Sequence, residues 1–120
     1  MGASRKSTAI RTINLEAGMP IVREALGQLE RELALARQQR CAVFKIIHGY
    51  GSSGVGGEIR IAVQKRLREL LESGAIRGCI FGEDWSTANA ETWALLKSLP
   101  ALKSDWDLGR RNPGITIVAL

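Results

Sequence analysis

The chain has 120 residues, 45% hydrophobic and 24% charged, with a formal net charge of +5. That length suits one domain with a modest core, and the composition excludes an intrinsically disordered chain. No apolar run approaches the ~18 residues needed to span a bilayer, and the basic start Arg5-Lys6 lacks the apolar stretch of a signal peptide.

Residues 1–9 read as a flexible basic tail, and residues 10–120 as the domain. Ile10 to Leu15 predicts a short strand. Pro20 fits the first turn of a helix in which Val22, Ala25/Leu26, Leu29, Leu33 and Ala36 form one apolar stripe. Ala42 to Ile47 is apolar except for Lys45, which predicts a central strand. Gly49 to Gly57 holds five glycines in nine residues. A second helix opens near Glu58, with Ile59, Ala62/Val63, Leu67 and Leu70/Leu71 as its stripe and Gly74 as its stop. Ile76 to Phe81 predicts a third strand. Thr87 is placed as the cap of a short helix with Ala90, Trp93, Leu96 and Leu99 on its inner face, ended by Pro100. Asn112-Pro113-Gly114 is a turn signal before a closing strand, Ile115 to Leu120. The order β-α-β-α-β-(α)-β reads as a two-layer α/β sandwich, a four-stranded mixed sheet with helices packed on one face. The first three strands are parallel if they share that sheet.

Charge is unevenly spread. Residues 23–48 and 58–77 each carry five basic and three acidic groups, whereas residues 83–111 carry four basic and five acidic. The positive excess of the first two-thirds fits a face that meets a polyanion; ordinary solubility charge is the competing reading. Cys41 and Cys79 form no metal-binding pattern with the one histidine, and read as reduced core thiols of a cytoplasmic protein. No cofactor or metal is expected.

The chemistry concentrates where the central strand runs into the second helix. Such a junction presents bare backbone N–H groups and the positive end of a helix dipole, and glycines let an anion approach closely. Gly49, Gly51, Ser52, Ser53 and Gly54 are the candidate phosphate cradle. Arg60, Lys65 and Arg66 supply positive charge, and Tyr50 a ring for stacking on an unpaired base. The P-loop pattern is absent, because Glu58 stands where it needs lysine. Gly49-x-Gly51-x-x-Gly54 matches the dinucleotide fingerprint only literally: one strand–helix unit precedes it, and Glu83 falls late for the ribose-binding acid. A glycine loop with no ligand is the remaining alternative.

Ile46-Ile47-His48-Gly49-Tyr50-Gly51 resembles the second motif of the Smr (small MutS-related) domain, a strand ending Ile-Ile-His-Gly-x-Gly. Ile59-Arg60 with Val63, Arg23-Glu24-Ala25-Leu26, and the close Gly114 to Leu120 resemble further family patterns, over residues 10–120 in all. The resemblance implies a β-α-β-α-β-β sandwich, DNA or RNA binding and, in several branches, endonuclease activity. The family's first motif, Leu-Asp-Leu-His, reads Ile13-Asn14-Leu15-Glu16 here, so Asn14 replaces an acid and Glu16 a histidine. Residues 84–111 replace a short loop. If cleavage occurs, His48 and Glu16 are the catalytic pair, with the altered first motif arguing for weak or lost activity. The rival is a non-catalytic protein-interaction module using residues 84–111, where all three tryptophans lie. There Trp93 is expected in the core, and Trp85 and Trp106 at the sandwich edge, base or partner stacking being their other reading. No membrane partner is expected.

Overall fold

In the computed structural model, which describes residues 9–18, 20–50 and 56–120, four strands form one mixed sheet. These are β1 (Ile10–Asn14), β2 (Val43–Ile47), β3 (Gly78–Phe81) and β4 (Ile115–Ala119), in the order β1-β2-β4-β3. β1 and β2 are parallel, with Ile10 opposite Val43 and Asn14 opposite Ile47. β4 runs antiparallel to both neighbours, pairing Ile46 with Thr116 and Phe81 with Thr116 from its two sides. The first three strands therefore point the same way, and β4 enters the sheet from the edge where they end. The two interior strands are the two whose sequences are apolar almost throughout, because each must bury both faces.

Two helices of 17 residues, α1 (Val22–Gln38) and α2 (Gly56–Glu72), cover one face. α1 turns Ala25, Leu29, Leu33 and Ala36 inward, the stripe its spacing predicts. Pro20 lies just outside the helix, and the Glu24 carboxylate reaches back to the Ile21 N–H at 3.1 Å, half of a capping box. α2 begins two residues before the predicted start and buries Ile59, Val63, Leu67 and Leu70. With Phe44, Ile46 and Val118 these side chains form the first core.

The prediction of helices on one face holds for α1 and α2 only. The segment between β3 and β4 closes the opposite face as a third layer. It comprises a 3-10 turn at Gly82–Asp84, helix α3 (Ala90–Ser98) and a second 3-10 turn at Pro100–Ser104. Val43, Ile80, Ile115 and Ile117 point into it and meet Trp85, Leu96, Leu99 and Leu102 in a second core. The physical reason lies in β2 and β4: apolar on both sides, they cannot leave one side in water.

Three expectations about this segment change. The cap of α3 is Asn89, whose side chain accepts the Thr92 N–H at 2.9 Å, and Thr87 lies outside the helix. The inner face carries Thr92, Leu96 and the following Leu99, so Trp93 points outward and is half exposed, near Lys97. Trp85 is fully buried, while Trp106 is 72% exposed and caps nothing. Lys45, an interruption in an apolar strand, is buried against Asp105 at 2.8 Å and Asp107 at 2.6 Å.

Cys41 is buried and Cys79 partly so; both are free thiols, and burial pushes the Cys79 thiol up to about 12. Among the described residues no helix is long and apolar enough to cross a membrane. Of the predicted tail, residues 1–8 lie outside the described residues; Ala9 extends the β1 ladder by accepting the Ala42 N–H at 3.0 Å.

Candidate functional site

Parallel strands deliver their carboxyl ends to one edge of the sheet, the position where open α/β sheets hold their ligands. Here that edge gathers the ends of β1, β2 and β3 and the entry to β4. At the end of β1 the Asn14 side chain accepts the N–H groups of Glu16 (2.9 Å) and Ala17 (3.2 Å), an Asx turn that bends the chain sharply. Glu16 is thereby exposed, with its carboxylate against Gly49. Gly49 has φ +74°, and a Cβ there would land on that carboxylate. Glycine is required at this position twice over, by the backbone and by the neighbour.

His48 is fully buried. Its backbone N–H and that of Gly49 both donate to the Gly114 carbonyl, at 2.9 and 3.0 Å. Ring Nδ1 lies 2.7 Å from the Gly49 carbonyl and Nε2 2.9 Å from Thr116 Oγ1. A carbonyl can only accept, so Nδ1 carries the proton, and the Thr116 hydroxyl donates to Nε2 of the neutral ring. Burial lowers the His48 pKa below 6.5; the Gly49 carbonyl and Glu83 oppose this, while the Arg60 charge adds to it. Sequence reasoning missed Thr116. Its signal was a hydroxyl inside the apolar run Ile115-Thr116-Ile117, since a buried hydroxyl needs a partner.

Tyr50 follows with its ring half exposed, packed against Gly114: a Cβ on that glycine would sit 3.2 Å from Tyr50 Cδ1. Gly51, Ser52, Ser53 and Gly54 lie outside the described residues. One turn into α2, Arg60 pairs with Glu83 from the 3-10 turn after β3. Its Nε is buried without a partner among the described residues. The structure thus brings Glu16, His48, Gly49, Tyr50 and Arg60 to one edge. It does not bring Arg66 there: that guanidinium faces α1, bonding Glu30 at 2.8 Å and Glu69 at 3.3 Å. Lys65 is exposed on α2. Part of the basic excess is likewise spent within the fold, as in the Arg11–Glu32 pair.

Asn112 ties the tryptophan-bearing loop to this edge. Its Oδ1 accepts the Gly114 N–H at 2.8 Å and its Nδ2 donates to Asp107 at 3.0 Å. A cavity of about 490 Å³ lies at the opposite end of the sheet, between α3 and the starts of β2 and β3. Its walls are mainly apolar, with Val43, Ile80, Leu95 and Leu99 among them and Arg77 and Glu91 as charged members.

No protein-family model matches the sequence, and no curated protein matches it. Among solved structures the chain is similar to the Smr domain of Thermus thermophilus MutS2. The two are 20% identical with a TM-score of 0.56, over 92% of this chain and 96% of that one. The architecture that the residues around His48 resemble is therefore the one observed: this chain has the Smr-domain fold.

Proposed function

We propose that the chain binds nucleic acid, DNA or RNA, at the carboxyl edge of its parallel strands. Phosphate is held by the glycine-rich segment after His48, and Tyr50 lies against a base. The observation that supports this reading best is the junction itself. A half-exposed Tyr50 leads through glycines into the first turn of a 17-residue helix, and Arg60 on that turn keeps a buried Nε that has no partner among the described residues. Helix starts favour anions, and guanidinium favours phosphate. The cradle belongs to residues 51–57 and not to His48 or Gly49, whose amides already serve Gly114.

The geometry favours binding over cleavage. General acid–base catalysis needs a group that can reach the reacting oxygen. Both His48 nitrogens are engaged inside the protein and burial holds the ring neutral. Glu16 alone offers a base without a matching acid. His48 in this reading is a scaffold that ties Gly49 to β4.

Fluorescence anisotropy with labelled 20-nucleotide strands and duplexes, titrated with salt, tests the proposal. Affinity should fall steeply with salt, with a logarithmic slope of roughly −2 for three neutralised phosphates on a single strand. Affinity indifferent to salt would refute it. A nicking assay on plasmid and RNA should show no cleavage; cleavage lost in His48→Ala would restore the catalytic pair.

A further inference from the structure

Trp106 is the most exposed large hydrophobic side chain among the described residues. An indole in water is ordinarily loose, yet this one is held. The Arg110 guanidinium lies over its ring, 3.8 Å from the centroid, and Arg110 Nε donates to the Trp106 carbonyl at 2.7 Å. The neighbouring residues are fixed as well: Asp105 accepts from Lys45 and from Trp85 Nε1 (3.0 Å), and Asp107 from Lys45 and Asn112. The loop is pinned on both sides of the ring, one ring face carries a cation, and the ring remains largely open to solvent.

Charge around the ring selects the occupant. Arg110 is exposed beside it, whereas Asp105 and Asp107 are largely buried and turned to Lys45. An aromatic plane carrying a guanidinium on one face fits a nucleobase with its phosphate better than an apolar protein surface. The same loop reaches the His48 edge through Asn112 and Gly114, against which Tyr50 packs. We infer that Trp106 and Arg110 form a preorganised stacking platform for an unpaired nucleotide, continuing the Tyr50 contact, so that the domain prefers single strands to duplex. This inference rests on the nucleic-acid reading above. Bases in a duplex are already stacked and have no face to offer.

Wild type, Trp106→Ala, Trp106→Phe and Arg110→Gln are compared on single-stranded and duplex oligonucleotides. Circular dichroism and the emission of buried Trp85 report folding. Trp106→Ala should weaken single-strand binding about five-fold or more and leave duplex binding unchanged, with Trp106→Phe close to wild type. Arg110→Gln should lower the single-strand salt slope by about 0.7. Single-strand affinity within two-fold of wild type in Trp106→Ala, or equal loss on strand and duplex, overturns this inference alone. A wild-type protein that binds neither overturns the nucleic-acid reading and this inference with it. A platform serving a protein partner would give the first of these failures.

Discussion

The two faces of the sheet are closed by different physics. Against α1 and α2 the core is mainly apolar: Leu29, Leu33, Phe44, Ile46, Val63 and Leu67 meet in one cluster that contains no ion pair. On the other face the irregular segment 82–112 is fixed by directional bonds. Lys45 on the central strand grips Asp105 and Asp107, Trp85 Nε1 holds the second oxygen of Asp105, and Asn112 holds the second oxygen of Asp107. A long amphipathic helix locates itself by its stripe. A segment with one nine-residue helix and two 3-10 turns offers no such stripe, so a buried charge cluster supplies its register. That cluster also carries the Trp106 loop, which links fold to the proposed contact surface.

The largest effect should come from breaking that grip. Lys45→Met leaves the buried Asp107 and the partly buried Asp105 carboxylates without their cation, and removing one partner of a buried ion pair costs about 3–5 kcal/mol. Urea unfolding at pH 7 measures it. Adding Asp105→Asn and Asp107→Asn should recover part of the loss, since the orphaned charge goes too. A loss below about 1 kcal/mol in Lys45→Met would mean that apolar packing alone closes this face. The pH dependence follows the same logic. Burial pushes the Asp107 carboxyl up, but the hydrogen bonds from Asn112 and Lys45 outweigh it and hold it below 3.8. Burial pulls Lys45 down, and its bonds to Asp105 and Asp107 raise it above 10.5. Asp107 therefore stabilises fully above its unfolded pKa and is lost as pH falls through the folded one. Lys45 stabilises fully below 10.5 and is lost as pH rises through its folded value.

This difference between the faces explains what could be read from the residues. The stripes of α1 and α2, the central strand at Val43–Ile47 and the closing strand at Ile115–Ala119 follow from local periodicity, and all were legible. The third layer was not, because its determinants are pairs far apart in sequence: Lys45 with Asp107, Trp85 with Asp105. Trp93 was misplaced because α3 is short. Over nine residues two neighbouring faces have similar apolar content, and Thr92 wins the inner one by donating its hydroxyl to the Asp84 carbonyl at 2.8 Å. At the candidate site the His48-Gly49-Tyr50 sequence points to the carboxyl edge of the parallel strands, where the proposed contacts lie. What it could not show is that Thr116 from the last strand and Gly114 from the turn before it occupy the ring and the amides of His48 and Gly49.

A smaller effect tests whether the polar device at His48 resembles the Lys45 cluster in kind. Thr116→Val removes the hydroxyl that serves Nε2 and leaves a buried acceptor unpaired, at a cost of about 1–3 kcal/mol near pH 7.5. The ring's lowered pKa sets the sign of its pH dependence. The neutral form is favoured in the folded state, so the stabilisation is full above about 6.5. It declines as pH drops and the unfolded chain takes up the proton first, levelling at the folded pKa. Stability of the wild type should fall between pH 7.5 and 5, and His48→Gln should flatten that fall. An unchanged slope in His48→Gln would move its origin elsewhere in the chain.

The smallest effect concerns how the third layer starts. Asn89 occupies the position just before α3, with an extended backbone and its side chain on the Thr92 N–H. Replacing such a cap by alanine costs about 1 kcal/mol, because one of the first N–H groups of the helix loses its acceptor. Thr87→Ala, at the residue that the sequence alone suggests, should cost only a few tenths, since Thr87 is exposed and caps nothing. Thermal denaturation of the two variants side by side decides between them: a larger loss in Thr87→Ala would move the helix start two residues back. The comparison also measures how independent the layer is. If Asn89→Ala and Lys45→Met add within about 0.5 kcal/mol in the double variant, α3 and the charge cluster act as separate anchors. A double variant that loses clearly less than the sum would mean that α3 already loosens once Lys45 has let go of the loop, and that the whole segment 82–112 is placed from the central strand.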